Sequence, residues 1–184
     1  MKHIRINNYR LFLAYSSILA LAIGLFMPFY IVFIQGFGKS IENFGFAIGL
    51  MALAEAITAY FIGKHSDALG RKIFIIVAGY ATGTMLIVYT LITTQTQLYI
   101  LQIINGIFQA TEGTMVNTVL ADVTVKQSRG ADVGRYRAIT GVMGALAMMG
   151  GGYVAGALGI KVIFYIGAVL YYIGTTTLIF IKEK

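Results

Sequence analysis

Apolar residues in this chain gather into long runs, with the polar residues concentrated in short gaps between them. Six runs can be read, over approximately 11–34, 42–63, 72–94, 98–121, 136–158 and 161–181. A helix that crosses a bilayer needs roughly 20 predominantly apolar residues, each adding about 1.5 Å to some 30 Å of hydrocarbon. Every run meets that length. Barrel strands would instead give segments of about ten residues with alternating polarity. The pattern therefore predicts an all-α integral membrane protein, a single bundle of six transmembrane helices over 1–184. The first run follows Lys2, Arg5 and Arg10, as a secretory signal would. It is too long for a signal's apolar core and no small-x-small cleavage site follows, so it is expected to be a retained helix.

Composition narrows the picture further. Apolar residues make up 58% of the chain and charged residues 11%, against about 45–50% and 25% in soluble domains. Mean hydropathy is +0.81. A water-soluble or disordered chain is excluded by these values. With no cysteine and only two histidines, His3 and His65, neither a disulfide framework nor a metal site is expected. The basic residues test the segmentation. Lys2, Arg5, Arg10, Lys64, Arg71, Lys72, Lys126, Arg129, Arg135, Arg137, Lys182 and Lys184 fall on one side of the six spans, and only Lys39 and Lys161 on the other. This bias places both termini in the cytoplasm, with an even number of spans between them. The net charge of +7 is thus topological information, and no nucleic-acid partner is expected. Gly38-Lys39-Ser40 imitates the end of a phosphate-binding loop, but Phe33 stands where its first glycine should be and no strand precedes it.

Between spans 2 and 3 the chain reads Gly63-Lys64-His65-Ser66-Asp67-Ala68-Leu69-Gly70-Arg71-Lys72. This resembles the signature G-x-x-x-D-[RK]-x-G-R-[RK] of the major facilitator superfamily, with Ala68 as its one departure. Asp122, Arg129-Gly130 and Gly134-Arg135-Tyr136-Arg137-Ala138 resemble the same family's run after span 4, and Gly151-Gly152, Leu158-Gly159 and Phe164 add weaker matches. The resemblance implies a secondary transporter that moves a small solute by rocker-switch alternating access. It implies a conformational-switch loop formed by Gly63, Asp67, Gly70, Arg71 and Lys72, with Arg135 and Arg137 beside it. No catalytic residue and no cofactor are implied, and a coupling ion, proton or sodium, is left open.

Physical chemistry accounts for the same residues independently. Gly63 permits a close backbone approach, Asp67 suits an arginine partner or a helix N-terminus, and Arg71 and Lys72 suit the anionic cytoplasmic leaflet. Two departures from the family pattern matter. Gln102 occupies the position, four before Gly106, where an arginine associated with proton coupling is usual. Ala147-Met148 replaces the Gly-Pro of the antiporter pattern that would end in Gly151-Gly152.

The family fold has two six-helix halves, each made of two inverted three-helix repeats. This chain supplies one half, with repeats over about 1–95 and 96–184. Ala68-Leu69-Gly70-Arg71-Lys72 has an echo in Ala157-Leu158-Gly159-Ile160-Lys161, three helices later and on the opposite membrane face. Because a cavity forms between two halves, a second copy in the same orientation or a complementary half is the expected partner, beside solute and lipid. In a parallel homodimer, span 2 of one copy approaches span 5 of the other, and Asp67 meets the partner's Arg135 or Arg137. The rival readings are an isolated or truncated N-terminal half and a non-transporting membrane scaffold. An intramembrane enzyme is poorly supported, since the spans lack histidine, cysteine and a paired carboxylate within one turn.

Glu55 and Glu112 are the only acids deep in spans, where a carboxylate costs several kcal/mol unless it faces protein or water. Gln102, Asn105, Gln109 and Glu112 recur at helical spacing and share an arc of about 80°. They are expected to line the cavity, with interhelical hydrogen bonding as the structural alternative. Tyr15, Ser16, Tyr30 and Gln35 are further candidates on span 1, and Pro28 is expected to kink that span. Acids without a buried base favour a cationic or proton-coupled solute. Gly79 and Gly83, and Gly152 and Gly156, are expected to be close-packing faces, with methionines such as Met143, Met148 and Met149 as adaptable filler.

Overall fold

The computed structural model describes residues 2–37, 40–124 and 127–181, with side chains from residue 7 onward and excepting those of 65–69. Among the described residues six helices run in order: α1 (Lys2–Gln35), α2 (Ile41–Leu69), α3 (Arg71–Tyr89), α4 (Gln95–Val123), α5 (Arg129–Leu158) and α6 (Ile160–Thr177), followed by a 3₁₀ turn at Leu178–Phe180. Five of them are long and apolar enough to cross a membrane. The remaining helix, α4, has 29 residues and carries the polar stripe, which lowers its hydropathy.

Local chemistry sets the boundaries. Ser40 caps α2 by accepting the Asn43 N–H at 3.4 Å. Thr94 opens α4 with a capping box: its hydroxyl accepts the Gln97 N–H at 3.3 Å, and Gln97 Oε1 accepts the Thr94 N–H at 3.1 Å. That box, and Thr90 folding its N–H and hydroxyl back onto the Ile87 carbonyl, end the third span at Tyr89 rather than 94. The gap between spans 2 and 3 is also shorter than the sequence suggests. Helix α2 continues to Leu69, and Gly70 alone separates it from α3. Gly70 has φ +88°, and Gly159, alone between α5 and α6, has φ +89°; they are the only described residues with positive φ. An L side chain is strained there. Helix α1 runs unbroken through Pro28.

Packing pairs the helices across the chain. Helix α1 lies against α5 and α6, α4 lies against α2 and α3, and α3 lies against α6, while α1 and α4 touch sparsely. Each half of the chain thus lends its first helix to the other. Association within lipid rests on close packing rather than on hydrophobic burial, and glycines make the closest approaches. A Cβ on Gly24 would overlap the Gly144 backbone, and one on Gly151 would lie 2.9 Å from the Leu25 carbonyl, so α1 and α5 meet backbone to backbone. Gly79 and Gly83 receive Thr175 and Tyr172 of α6, as expected of a packing face. Gly152 and Gly156 do not behave so. Both are exposed, and the α5 packing face is Gly144 and Gly151 instead.

Lysines tie the ends of α3 and α6 together. Lys72 donates to the carbonyls of Ile179 and Ile181 at 2.9 and 2.7 Å, and Lys161 donates to the Thr90 carbonyl at 2.8 Å. Each lysine sits second in its own helix and caps the C-terminal end of the other, where the dipole favours a cation. Only 6% of the α2 span and 6% of the α5 span is buried, against 39–44% for α1, α3 and α6. Helices α2 and α5 are the outer members of the bundle.

Candidate functional site

The sparse contact between α1 and α4 leaves a cavity of about 370 Å³, open on one side. Its wall draws Tyr15, Ser16 and Tyr30 from α1, Glu55 from α2, Thr82 and Tyr89 from α3, and Asn105, Gln109 and Glu112 from α4. Tyr136 and Thr140 of α5 and Tyr171 of α6 complete the polar set. No lysine or arginine lines it among the described residues.

Glu112 is 8% exposed and accepts the Tyr15 hydroxyl at 2.8 Å. A phenol cannot neutralise a carboxylate, so this buried acid keeps an unmet demand for a cation or a proton. Glu55 stands on the exposed edge of α2, at the mouth of the cavity. Gly106 sets its position: a Cβ there would meet the Met51 carbonyl and lie 3.1 Å from the Glu55 nitrogen, so α2 rests directly on the α4 backbone.

The predicted α4 stripe divides. Asn105, Gln109 and Glu112 reach the cavity, but Gln102 lies behind the wall with no exposed surface. Its Oε1 accepts hydrogen bonds from Tyr30 and from Tyr89, the latter at 2.8 Å, and the two phenol oxygens lie 3.1 Å apart. Gln102 therefore joins α1, α3 and α4 as an interhelical hydrogen-bond centre. Gln35 is exposed outside the cavity. Sequence reasoning missed Thr82, Leu86 and Tyr89, although their spacing of four and three is that of one helical face. It also missed Met51, whose sulfur lies 3.4 Å from Asn105 Nδ2 and 3.8 Å from Gln109 Nε2; an isolated methionine carries no sequence signal.

The switch-loop residues separate as well. Arg71 pairs with Asp122 at the end of α4, and Lys72 is committed to the carbonyls just beyond α6 rather than to lipid. Gly70 is the single-residue joint between α2 and α3. Gly63 is exposed, and a Cβ added to it would meet nothing within 4 Å, so it supports no close approach within the chain. Arg135 and Arg137 are exposed on α5. The Asp67 side chain lies outside the described residues, as do Gly38 and Lys39.

Helices α2 and α5 share one further pattern. On α2 the exposed residues Gly45, Gly49, Ala52, Ala56 and Gly63 form a stripe, as do Gly134, Ala138, Gly141, Ala145, Gly152 and Gly156 on α5. At about 100° per residue, each stripe lies between a flank of large apolar residues and the side that faces the cavity. The large flank is Phe46, Leu53, Ile57 and Tyr60 on α2, and Val142, Leu146, Met149 and Tyr153 on α5.

These features agree with what known proteins share with this chain. Residues 12–184 match the Major Facilitator Superfamily. The uncharacterized MFS-type transporter YitZ of Bacillus subtilis is 31% identical over 152 residues, which span 83% of this chain and 93% of that protein. An uncharacterized MFS-type transporter of Methanocaldococcus jannaschii is 25% identical over 171 residues, and the multidrug resistance protein 2 of B. subtilis is 26% identical over 164. Both of those matches span 89% of this chain but only 44% and 41% of the relatives' own lengths. An all-helical membrane bundle, a cavity between α1 and α4, and a match over nearly its whole length place this chain in the Major Facilitator Superfamily.

Proposed function

We propose that two copies of this chain, inserted in parallel with both termini in the cytoplasm, assemble into one transporter that moves a small cationic solute. The cavity then lies on the two-fold axis, and α2 of one copy faces α5 of the other across it. One observation carries the reading: the matched stripes of small residues on α2 and α5, placed between the lipid-facing flank and the cavity. Lipid asks for no such stripe, whereas close helix pairing in membranes does. The near-complete span of YitZ supports a chain of this size as a unit. Rocking of one copy against the other about these smooth faces gives alternating access, and Asp67 would approach Arg135 or Arg137 of the partner in one of the two states.

Glu112 and Glu55, without a basic neighbour on the wall among the described residues, support a cation as cargo or as coupling ion, proton or sodium. A relative named as a multidrug resistance protein supports a drug as cargo. No cofactor is required by this scheme, and no chemical step is catalysed.

The absence of native cysteine makes the test direct. Ala56→Cys in one tagged copy and Ala145→Cys in a differently tagged copy stand near mid-helix on the two stripes, and should cross-link in native membranes. Gly45→Cys with Gly134→Cys, each near the N-terminus of its helix and so on opposite membrane faces in the proposed topology, should not. If neither pair cross-links and the tags do not co-purify, the homodimer is rejected. The same assay with a complementary six-helix half then becomes the alternative, which the coverage of under half of two relatives favours.

A further inference from the structure

The polar groups on the cavity wall can be sorted by where their protons are committed. Tyr15 donates its hydroxyl to Glu112. Tyr30 and Tyr89 commit their protons to Gln102 Oε1 or to one another, so neither offers its proton to the cavity. Thr140 donates to the Tyr136 carbonyl within its own helix. The amide nitrogens of Asn105 and Gln109 are turned onto the thioether of Met51. An amide's oxygen and nitrogen diverge from one carbon, so a nitrogen held on Met51 leaves the carbonyl oxygen for the cavity. With the carboxylates of Glu55 and Glu112 added, acceptors dominate the wall, and the phenol hydroxyls of Tyr136 and Tyr171 are the donors set against them. Ser16 and Thr82, whose buried hydroxyls have no partner, can turn either way.

Net charge alone would admit any cation, and the tyrosines by themselves would suit a quaternary ammonium through cation–π attraction. A wall dominated by acceptors asks for more, because each unmet acceptor that loses water on binding carries a desolvation penalty. We infer that this cavity selects cations that carry N–H donors, such as primary ammonium, amidinium or guanidinium groups, over quaternary ammonium. Met51 is the positioning residue of that selectivity, holding the Asn105 and Gln109 amides with their oxygens inward. The inference rests on the reading that the cavity takes a cation.

The test measures binding to the purified full chain in lipid nanodiscs by titration calorimetry, with 2-phenylethylammonium and its N,N,N-trimethyl counterpart as matched probes. The ammonium should bind about tenfold tighter or more, the range expected of charge-assisted hydrogen bonds. Equal or tighter binding of the trimethyl compound overturns the inference, and so does binding of neither. Met51→Leu conserves volume and removes the sulfur acceptor, freeing the amides to turn; the preference should narrow severalfold while the trimethyl affinity holds. An unchanged preference removes Met51 from the account. Flux of the same probes in vesicles separates this inference from the transport reading. Selective binding without flux leaves the selectivity standing and rejects transport, whereas flux without preference does the reverse.

Discussion

At Glu112 the bundle holds a carboxylate against Tyr15 with no base lining the same cavity among the described residues, a costly arrangement for a purely structural residue. Glu112→Gln keeps the hydrogen bond to Tyr15 and removes the charge. It should lower affinity for a monovalent ammonium probe by about tenfold or more while raising the melting temperature, and calorimetry beside a thermal unfolding scan would check both. An affinity unchanged by the substitution would remove Glu112 from the site. Gln102 is the opposite case. Its carbonyl gathers two phenols behind the wall, so Gln102→Leu should destabilise the fold by about 1–3 kcal/mol and, by freeing the Tyr30 and Tyr89 protons, narrow the cation preference. Had Gln102 been a solute contact, binding would fall first.

Among the helices, α2 is positioned by its long contact with α4, whose tightest point is Gly106. At Gly106 the α4 backbone meets Met51 and Glu55 directly, so any larger residue must push α2 outward. Gly106→Val should cost about 1–3 kcal/mol through overpacking and should weaken cation binding as well, because Glu55 and Met51 move together. Measured stability loss with intact binding would mean that α2 does not carry the site. The α3–α6 pair is held differently, by a lysine cap at each end. Replacing Lys161 with Met should cost about 0.5–2 kcal/mol and should speed hydrogen exchange selectively near Thr90. Lys72→Met should act at Ile179–Ile181 instead. Uniform acceleration across the bundle in either variant would contradict a local cap.

For the molecule as a whole, the exposed stripes on α2 and α5 set the expected assembly. Ala56→Leu together with Ala145→Leu fills both stripes on exposed faces of their helices. The doubly substituted chain should remain folded, with helix content unchanged by circular dichroism, yet elute as a monomer and lose flux. A monomeric wild-type chain that still mediates flux would overturn the dimeric reading. A wild-type dimer without flux for any cation would favour a scaffold.

Much of this protein was legible in its sequence because a bilayer leaves few choices. Backbone groups in hydrocarbon must be satisfied internally, so long apolar runs become helices, and the G-x-x-x-D-x-x-G-R-K spacing pointed to the family. The carboxylates Glu55 and Glu112 stood out because charge inside a span is expensive. The ends of α3 and α4 were legible in principle too, since Thr94 and Gln97 form a capping box three residues apart. What only the tertiary structure decided is which face of each helix meets which neighbour. Gln102, Asn105, Gln109 and Glu112 share one stripe, and no helical period distinguishes a residue turned to a cavity from one closed against two tyrosines. The same holds for span 5, where neighbouring glycines at 151 and 152 face α1 and the outside respectively. Period and composition specify a helix and its polar side; the partners that side meets come from helices distant in the chain, and only packing selects them.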